Sequence, residues 1–119
     1  MSDKRDREPA RDPQDLERLL IARQWAGDID GMVALFDPHA VIDSGGGDLT
    51  RGRDAIHALF AEITASGRKF AAGVQSPAVI NGDLALTSTR LPDGTVTAEV
   101  ARRQSDGTWL WVIDRFSVA

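Results

Sequence analysis

Apolar side chains recur with two different periods along this chain, and the change comes near residue 69. Before it, the period is helical. Leu16, Leu19 and Leu20 follow Asp12-Pro13, a pair that suits a helix start, with aspartate as cap and proline in the first turn. Gly27 ends that helix and Asp28 caps a second, in which Ile29, Met32, Val33 and Phe36 fall at i, i+3, i+4 and i+7. Asp37-Pro38 stops it. Ala40 to Asp43 reads as a short strand running into three glycines, with His39 in the loop before it. A third helix carries Ile56, Leu59, Phe60 and Ile63 on one face and closes at Ser66-Gly67, with His57 off the stripe and solvated. Residues 1–11 mix both charge signs with proline and are expected to form a disordered tail, leaving residues 12–119 as one domain.

Beyond residue 69 the punctuation is that of strands. Asn81-Gly82, Asp93-Gly94 and Asp106-Gly107 are turn signals that divide residues 69–118 into four strands of an antiparallel meander. Helices first and strands second predict an α+β fold, with three N-terminal helices packed on a curved, mainly antiparallel sheet. Two- or four-residue loops at the last two turns put Glu99 opposite Asp114, Ala101 opposite Val112, Ser88 opposite Glu99 and Arg90 opposite Thr97. Strict alternation then collects Leu84, Leu86, Ser88, Arg90, Glu99, Ala101, Leu110, Val112, Asp114 and Phe116 on one face. The other face receives Ala85, Thr87, Thr89, Ala98, Val100, Trp109, Trp111 and Ile113.

That alternation places candidate chemistry. Two carboxylates directly opposite on a sheet repel, so Glu99 and Asp114 must share a proton, share Arg90 or lie in water. In an apolar concavity the first two options separate the pKa values and assign acid and base roles. The competing reading is a structural ion-pair network. The second face, with its two tryptophans, is too apolar for open water and calls for a homodimer.

Composition narrows the classes further. A chain of 119 residues can bury a core without staples, and a net charge of −4 without a basic stripe argues against nucleic acid and anionic membranes as partners. The absence of cysteine excludes disulfides and thiolate zinc sites, and two histidines without ligand spacing leave no case for a metal. No cofactor motif is present. With no signal-peptide pattern and no apolar run of membrane-spanning length, the expected location is the cytoplasm.

The segments GDIDGMVALFDPHAVID, RGRDAIHALF and VARRQSDGTWLWVIDRFS resemble the NTF2-like superfamily, in its SnoaL-like and ketosteroid-isomerase-like branch, over about residues 13–118. The resemblance implies a cone of helices on a curved sheet with a deep pocket, usually as a homodimer, hosting isomerases, cyclases, epoxide hydrolases, dehydratases or plain binding domains. Counted back from Gly52 and Ile56, Asp43 falls where ketosteroid isomerases keep the general base; counted forward from Gly27, Ser44 does. Glu99 falls at the protonated acid of the oxyanion hole, and the tyrosine that completes it falls at Leu20. Phe36 and Phe60 stand at further tyrosine positions, and the chain has no tyrosine. One missing donor of that kind removes about 3 kcal/mol of transition-state stabilisation, so steroid isomerisation is expected to be weak.

The expectation is therefore an apolar small molecule with a polar end, bound by Trp25, Phe36, Phe60, Val112 and Phe116. Cofactor-free acid–base work would fall to Asp43, Glu99, Asp114 and Arg90, giving an isomerase, cyclase or hydratase/dehydratase. The alternatives are a non-catalytic ligand-binding or dimerisation domain and an epoxide-hydrolase-like enzyme, in which an arginine bridges two acids. For Asp43 the competing reading is an Asx turn into the glycines.

Overall fold

Aspartates hold the free amides at the start of the fold. A computed structural model describes residues 7–118. Asp12 accepts from the Gln14 amide at 2.9 Å just ahead of helix α1 (Asp15–Trp25), so the predicted start is a preceding turn. Asp28 caps α2 (Ile29–Val33) through the Gly31 amide at 3.0 Å and holds Arg7 by two bonds of 2.8 Å. That ion pair ties down part of the expected tail. The Ala10 carbonyl accepts from the Trp109 amide at 2.8 Å, and Ala10 is buried. Residues 7–11 are thus packed against the domain, while residues 1–6 lie outside the described residues.

Helix α2 is shorter than its apolar stripe predicts. It ends at Val33, and Phe36 opens a strand, β1 (Phe36–Asp43). The residue before Pro38 is driven toward extended backbone, and extension lets Phe36 pair with Trp111 on the last strand. His39 lies within β1 and not in a loop. The glycine run turns β1 back into β2 (Leu49–Arg51), a strand the sequence reading missed, which leads into α3 (Gly52–Ala65). In place of the four expected strands come six segments, β3 (Val74–Gln75), β4 (Val79–Asn81), β5 (Leu84–Thr87), β6 (Thr89–Arg90), β7 (Ala98–Arg103) and β8 (Trp109–Arg115), of which β4, β5, β7 and β8 form the meander. Six strands form one sheet in the order β2-β1-β8-β7-β5-β4, and β3 pairs with β6 beside it. All neighbours are antiparallel except β1 and β8. The three helices cover one face of this curved sheet. The core between them holds Leu16, Met32, Phe36, Ile42, Ile56, Phe60 and Trp111. No helix among the described residues is long and apolar enough to cross a membrane.

Both later turns have three-residue loops, and this corrects the predicted faces. Gln104 and Thr108 bond across Ser105-Asp106-Gly107, and Leu91 and Thr95 across Pro92-Asp93-Gly94. Each loop ends on a glycine with positive φ, 85° at Gly107 and 89° at Gly94, the geometry of a type I turn closed by a left-handed residue. Asp93 and Asp106 fix it by accepting from the amides of Thr95 and Thr108, both at 2.9 Å. An odd loop slips the register by one residue. Between β5 and β7 the slip stands, so Thr87, not Ser88, faces Glu99. Leu84, Leu86, Ser88 and Arg90 therefore leave the helix-facing side, and Ala85, Thr87 and Thr89 occupy it.

Between β7 and β8 the slip is cancelled. Arg103 pairs with Trp109 and Ala101 with Trp111, but Val100 pairs with Ile113 and Glu99 with Asp114. Val112 is the extra residue, a bulge. Trp109 and Trp111 thus point into the core, 5% and 2% exposed, and Ile113 points out at 53%. The expected dimer face of tryptophans does not exist. In its place a row of Val79, Leu86, Val100, Ile113 and Val41 runs across five strands on the outer face.

Trp111→Ala should therefore lower the unfolding free energy by about 3–5 kcal/mol, against about 0.5 kcal/mol for Ile113→Ala. Chemical denaturation of the two variants checks this, and a larger loss from Ile113→Ala would mean that the faces are the other way round.

Candidate functional site

Where α1 crosses the end of the sheet beyond the bulge, the packing leaves a cavity of about 260 Å³. Its walls are largely apolar, with Leu20 from α1, Phe70 and Ala71 after α3, Leu91 and Pro92 from the β6–β7 loop, and Phe116 after β8. Phe70 and Phe116 meet edge to face at 6.5 Å, and Phe70 meets Phe60 at 6.1 Å, so the wall continues the aromatic core. Two neighbouring residues of α1 hold the Phe70 segment. Gln24, fully buried, accepts from the Phe70 amide at 2.6 Å and donates to the Arg68 carbonyl at 3.0 Å. Trp25 donates its indole N–H to the Phe70 carbonyl at 2.9 Å.

Four acidic residues line this cavity: Asp93, exposed in the β6–β7 loop, and three that are buried or half-buried, Glu17 from α1, Glu99 from β7 and Asp114 from β8. Glu99 and Asp114 are 4% and 5% exposed and are direct cross-strand partners, as the hairpin count predicts. Thr87 donates its hydroxyl to Glu99 Oε1 at 2.8 Å, and Thr97 adds a second side-chain bond. The Asp114 side chain makes no hydrogen bond among the described residues, and its carboxyl lines the cavity. Burial pushes the Asp114 pKa well above the usual carboxylate range, and the charges of Glu99 and Glu17 push it further. Burial also raises Glu99, against the pull of its two threonine bonds. Glu17, half-buried, is pushed up to about 7, first by burial and then by Glu99. No basic side chain pairs with any of the three among the described residues. The nearest cations lie at the rim, where Arg68 stands over the Phe70 ring at 5.7 Å and Lys69 over the Trp25 ring at 5.2 Å.

The other residues singled out from the sequence lie elsewhere. Arg90 is exposed, pairs with Val74 and Val96, and does not reach Glu99, because the uncompensated slip turns it outward. Asp43 ends β1 away from the cavity, with Oδ1 closing an Asx turn onto the Gly45 amide at 3.0 Å and Oδ2 on Arg115 Nε at 3.1 Å. Phe36 and Phe60 are core, Val112 is the bulge, and Trp25 is 61% exposed, so Phe116 alone of the expected ligand contacts lines the cavity. Glu17 is the residue that the sequence reading missed. It stands three residues before Leu20 and seven before Gln24, on a helix face that the leucines alone did not reveal.

The trio sets a pH dependence of stability. An acid whose pKa is raised by folding holds its proton in the folded state where the unfolded chain has lost it, so stability falls as pH rises through that window. For Glu17 the window runs from about 4.5 to about 7, and Glu99 and Asp114 act in the same direction. The denaturation midpoint should drop across that range, and Asp114→Asn should flatten the drop. A midpoint that rises from pH 5 to 7 would contradict the arrangement.

The chain matches the family model of the SnoaL-like domain over residues 16–119. No curated protein matches it significantly. Among solved structures it is similar to a ketosteroid isomerase-like protein from Erwinia carotovora atroseptica SCRI1043, at a TM-score of 0.66 and 14% identity, covering 86% of this chain and 89% of that one. A putative calcium/calmodulin-dependent protein kinase type II association domain from Thiobacillus denitrificans matches at a TM-score of 0.66 and 20% identity, covering 90% and 93%. An NTF2-like protein with a cystatin-like fold from Novosphingobium aromaticivorans matches at 0.59 and 21%, covering 85% and 75%. These likenesses extend to the fold, and with the family match they set the placement: the chain belongs to the SnoaL-like domain family of NTF2-like α+β proteins.

Proposed function

We propose that the protein binds a small, largely apolar molecule between α1 and the sheet and carries out cofactor-free proton transfer on it, as an isomerase, cyclase or hydratase/dehydratase does. In this reading helices and sheet form a cone with the cavity as its mouth. The observation that carries it is a set of three buried or half-buried carboxyl groups facing one largely apolar cavity, none of them ion-paired to its two exposed basic lining residues, Arg68 and Lys69. A structural network would be paired; Asp114 is not. Glu17, near pKa 7, is suited to move a proton at neutral pH. Asp114, whose pKa burial pushes well above the usual carboxylate range, and Glu99, oriented by Thr87 and Thr97, are placed to hold the polar end of the ligand. Leu20, which falls at the position of the oxyanion tyrosine in the resemblance, does line the cavity, without a donor to offer. An epoxide-hydrolase-like trio finds no support, since its arginine would be Arg90 and that side chain is outside. At about 260 Å³ the cavity lies below the roughly 300–1,000 Å³ usual for drug-sized ligands, which favours a molecule smaller than a steroid.

The same reading makes the protein a homodimer through the outer face of the sheet. The row from Val79 to Val41 is aliphatic and lies on the outer face, with Val79, Leu86 and Ile113 more than half exposed, and Leu84 extends it. A second copy, presenting the same row about a two-fold axis, is the cover such a face needs.

Deuterium incorporation into small cyclic ketones and imines in heavy water tests the chemistry. The protein should promote exchange beside the polar carbon, and Glu17→Gln should slow it by about 10²–10⁴-fold. Ligand bound in the cavity with exchange at the solvent background would make it a binding domain instead. For the assembly, Leu86→Arg should convert a dimer into a folded species of 12.9 kDa in sedimentation; a wild type that already sediments as monomer at micromolar concentration refutes the interface.

A further inference from the structure

Charge and hydrogen-bond capacity inside the cavity favour one kind of polar end. Glu17, Glu99 and Asp114 present oxygen only, while the inward hydroxyls of Thr87 and Thr97 are engaged by Glu99. The basic groups nearby, Arg68 and Lys69, stay on aromatic rings at the rim, and Asp93 beside them adds a further acid. A neutral acceptor such as a carbonyl oxygen can use one or two carboxyl protons and leaves the remaining acid unmatched. An anion would meet three acids. A primary ammonium has three N–H donors on one small cation, one for each carboxyl, and charge-assisted bonds of this kind are about twice as strong as neutral ones.

We infer that the polar end of the ligand is an amine: the cavity takes a small primary ammonium between Glu17, Glu99 and Asp114, with its apolar body against Leu20, Phe70 and Phe116. This rests on the reading of the cavity as a ligand site and names its ligand class. The buried and otherwise unpartnered Asp114 carboxyl is the group that such a cation would satisfy. Because burial raises all three acids, with Glu17 at about 7 and the charge of Glu99 adding to the shifts of Glu17 and Asp114, entry of the cation should drive protons out into solvent.

Calorimetry on the full chain at pH 7 with cyclohexylmethylamine, cyclohexylmethanol and cyclohexanecarboxylate, which share one skeleton, separates the cases. The amine should bind at least tenfold tighter than the alcohol, and the carboxylate not measurably. The amine's binding enthalpy should differ between phosphate and Tris by the buffer's ionisation enthalpy times the protons released. Asp114→Asn should weaken the amine at least tenfold more than it weakens the alcohol; Glu17→Gln, on the half-buried side of α1, should narrow the preference in the same direction and serves if the first variant fails to fold. Alcohol binding equal to or tighter than amine binding overturns the amine assignment and leaves the cavity as a ligand site. Binding of none of the three overturns both.

Discussion

Two tryptophans and an aspartate on one strand have to face the same way, and the pleat of a strand forbids it. Trp109 and Trp111 alternate with Leu110 as a strand requires, but Asp114 lies three residues after Trp111, which would place it on the opposite face. The bulge at Val112 removes the conflict by adding one residue to β8 against β7. Before the bulge the strand fills the core; after it the strand lines the cavity. Trp111 packs against Phe36 at 5.1 Å because β1 runs parallel to β8 at that level. Ile113 is released to the outer face beside Val41 and Val100. Asp114 meets Glu99. Without the extra residue, core and carboxyl pair could not both form.

The cavity is thermodynamically the weak part of the domain. Burying carboxyl groups costs free energy whether they stay neutral or ionise, and within the cavity only Glu99 has hydrogen bonds, from Thr87 and Thr97, to offset it. The compensation is found next to it. An unbroken set of ring contacts runs from Trp111 through Phe36, Phe60 and Phe70 to Phe116, so the wall that holds the acids is an extension of the core. Gln24 and Trp25 then tie the last part of that wall to α1, the helix that also brings in Glu17. Position of the third acid and position of the aromatic wall are therefore set by one helix, a rigid element, which is where a precise site is best built.

The N-terminal segment shows the same economy. Arg23, buried, donates to the Gly31 carbonyl at 2.7 Å and to the Glu8 carbonyl, joining α1, α2 and the segment before them. Arg7 closes onto Asp28 from the other side. Charged residues that read as a solvated run are here used one at a time, each for a backbone group or a capped helix end.

Much of this was legible locally. The order of helices and strands, the caps, the three glycine turns, the family and the pairing of Glu99 with Asp114 all follow from patterns a few residues long, because caps, turns and periodicity are set by neighbours in sequence. The pairing survived because the odd loop and the bulge shift register by one residue in opposite directions. What failed was everything that needed the exact parity of a strand. Arg90, the leucines of β5 and the tryptophans of β8 changed sides on a single residue of loop length, and one bulge returned Ile113 and Asp114 to the expected register. Phe36 left its helix for a parallel partner some 75 residues away. Glu17 joined the acids only when α1 was laid across the sheet. The sequence by itself determined which elements form, where they turn and which acids are available. Only the tertiary structure decided which of them share a cavity, because side-chain direction along a strand reverses with every residue, and parity is settled by loops and bulges under the demand of core packing.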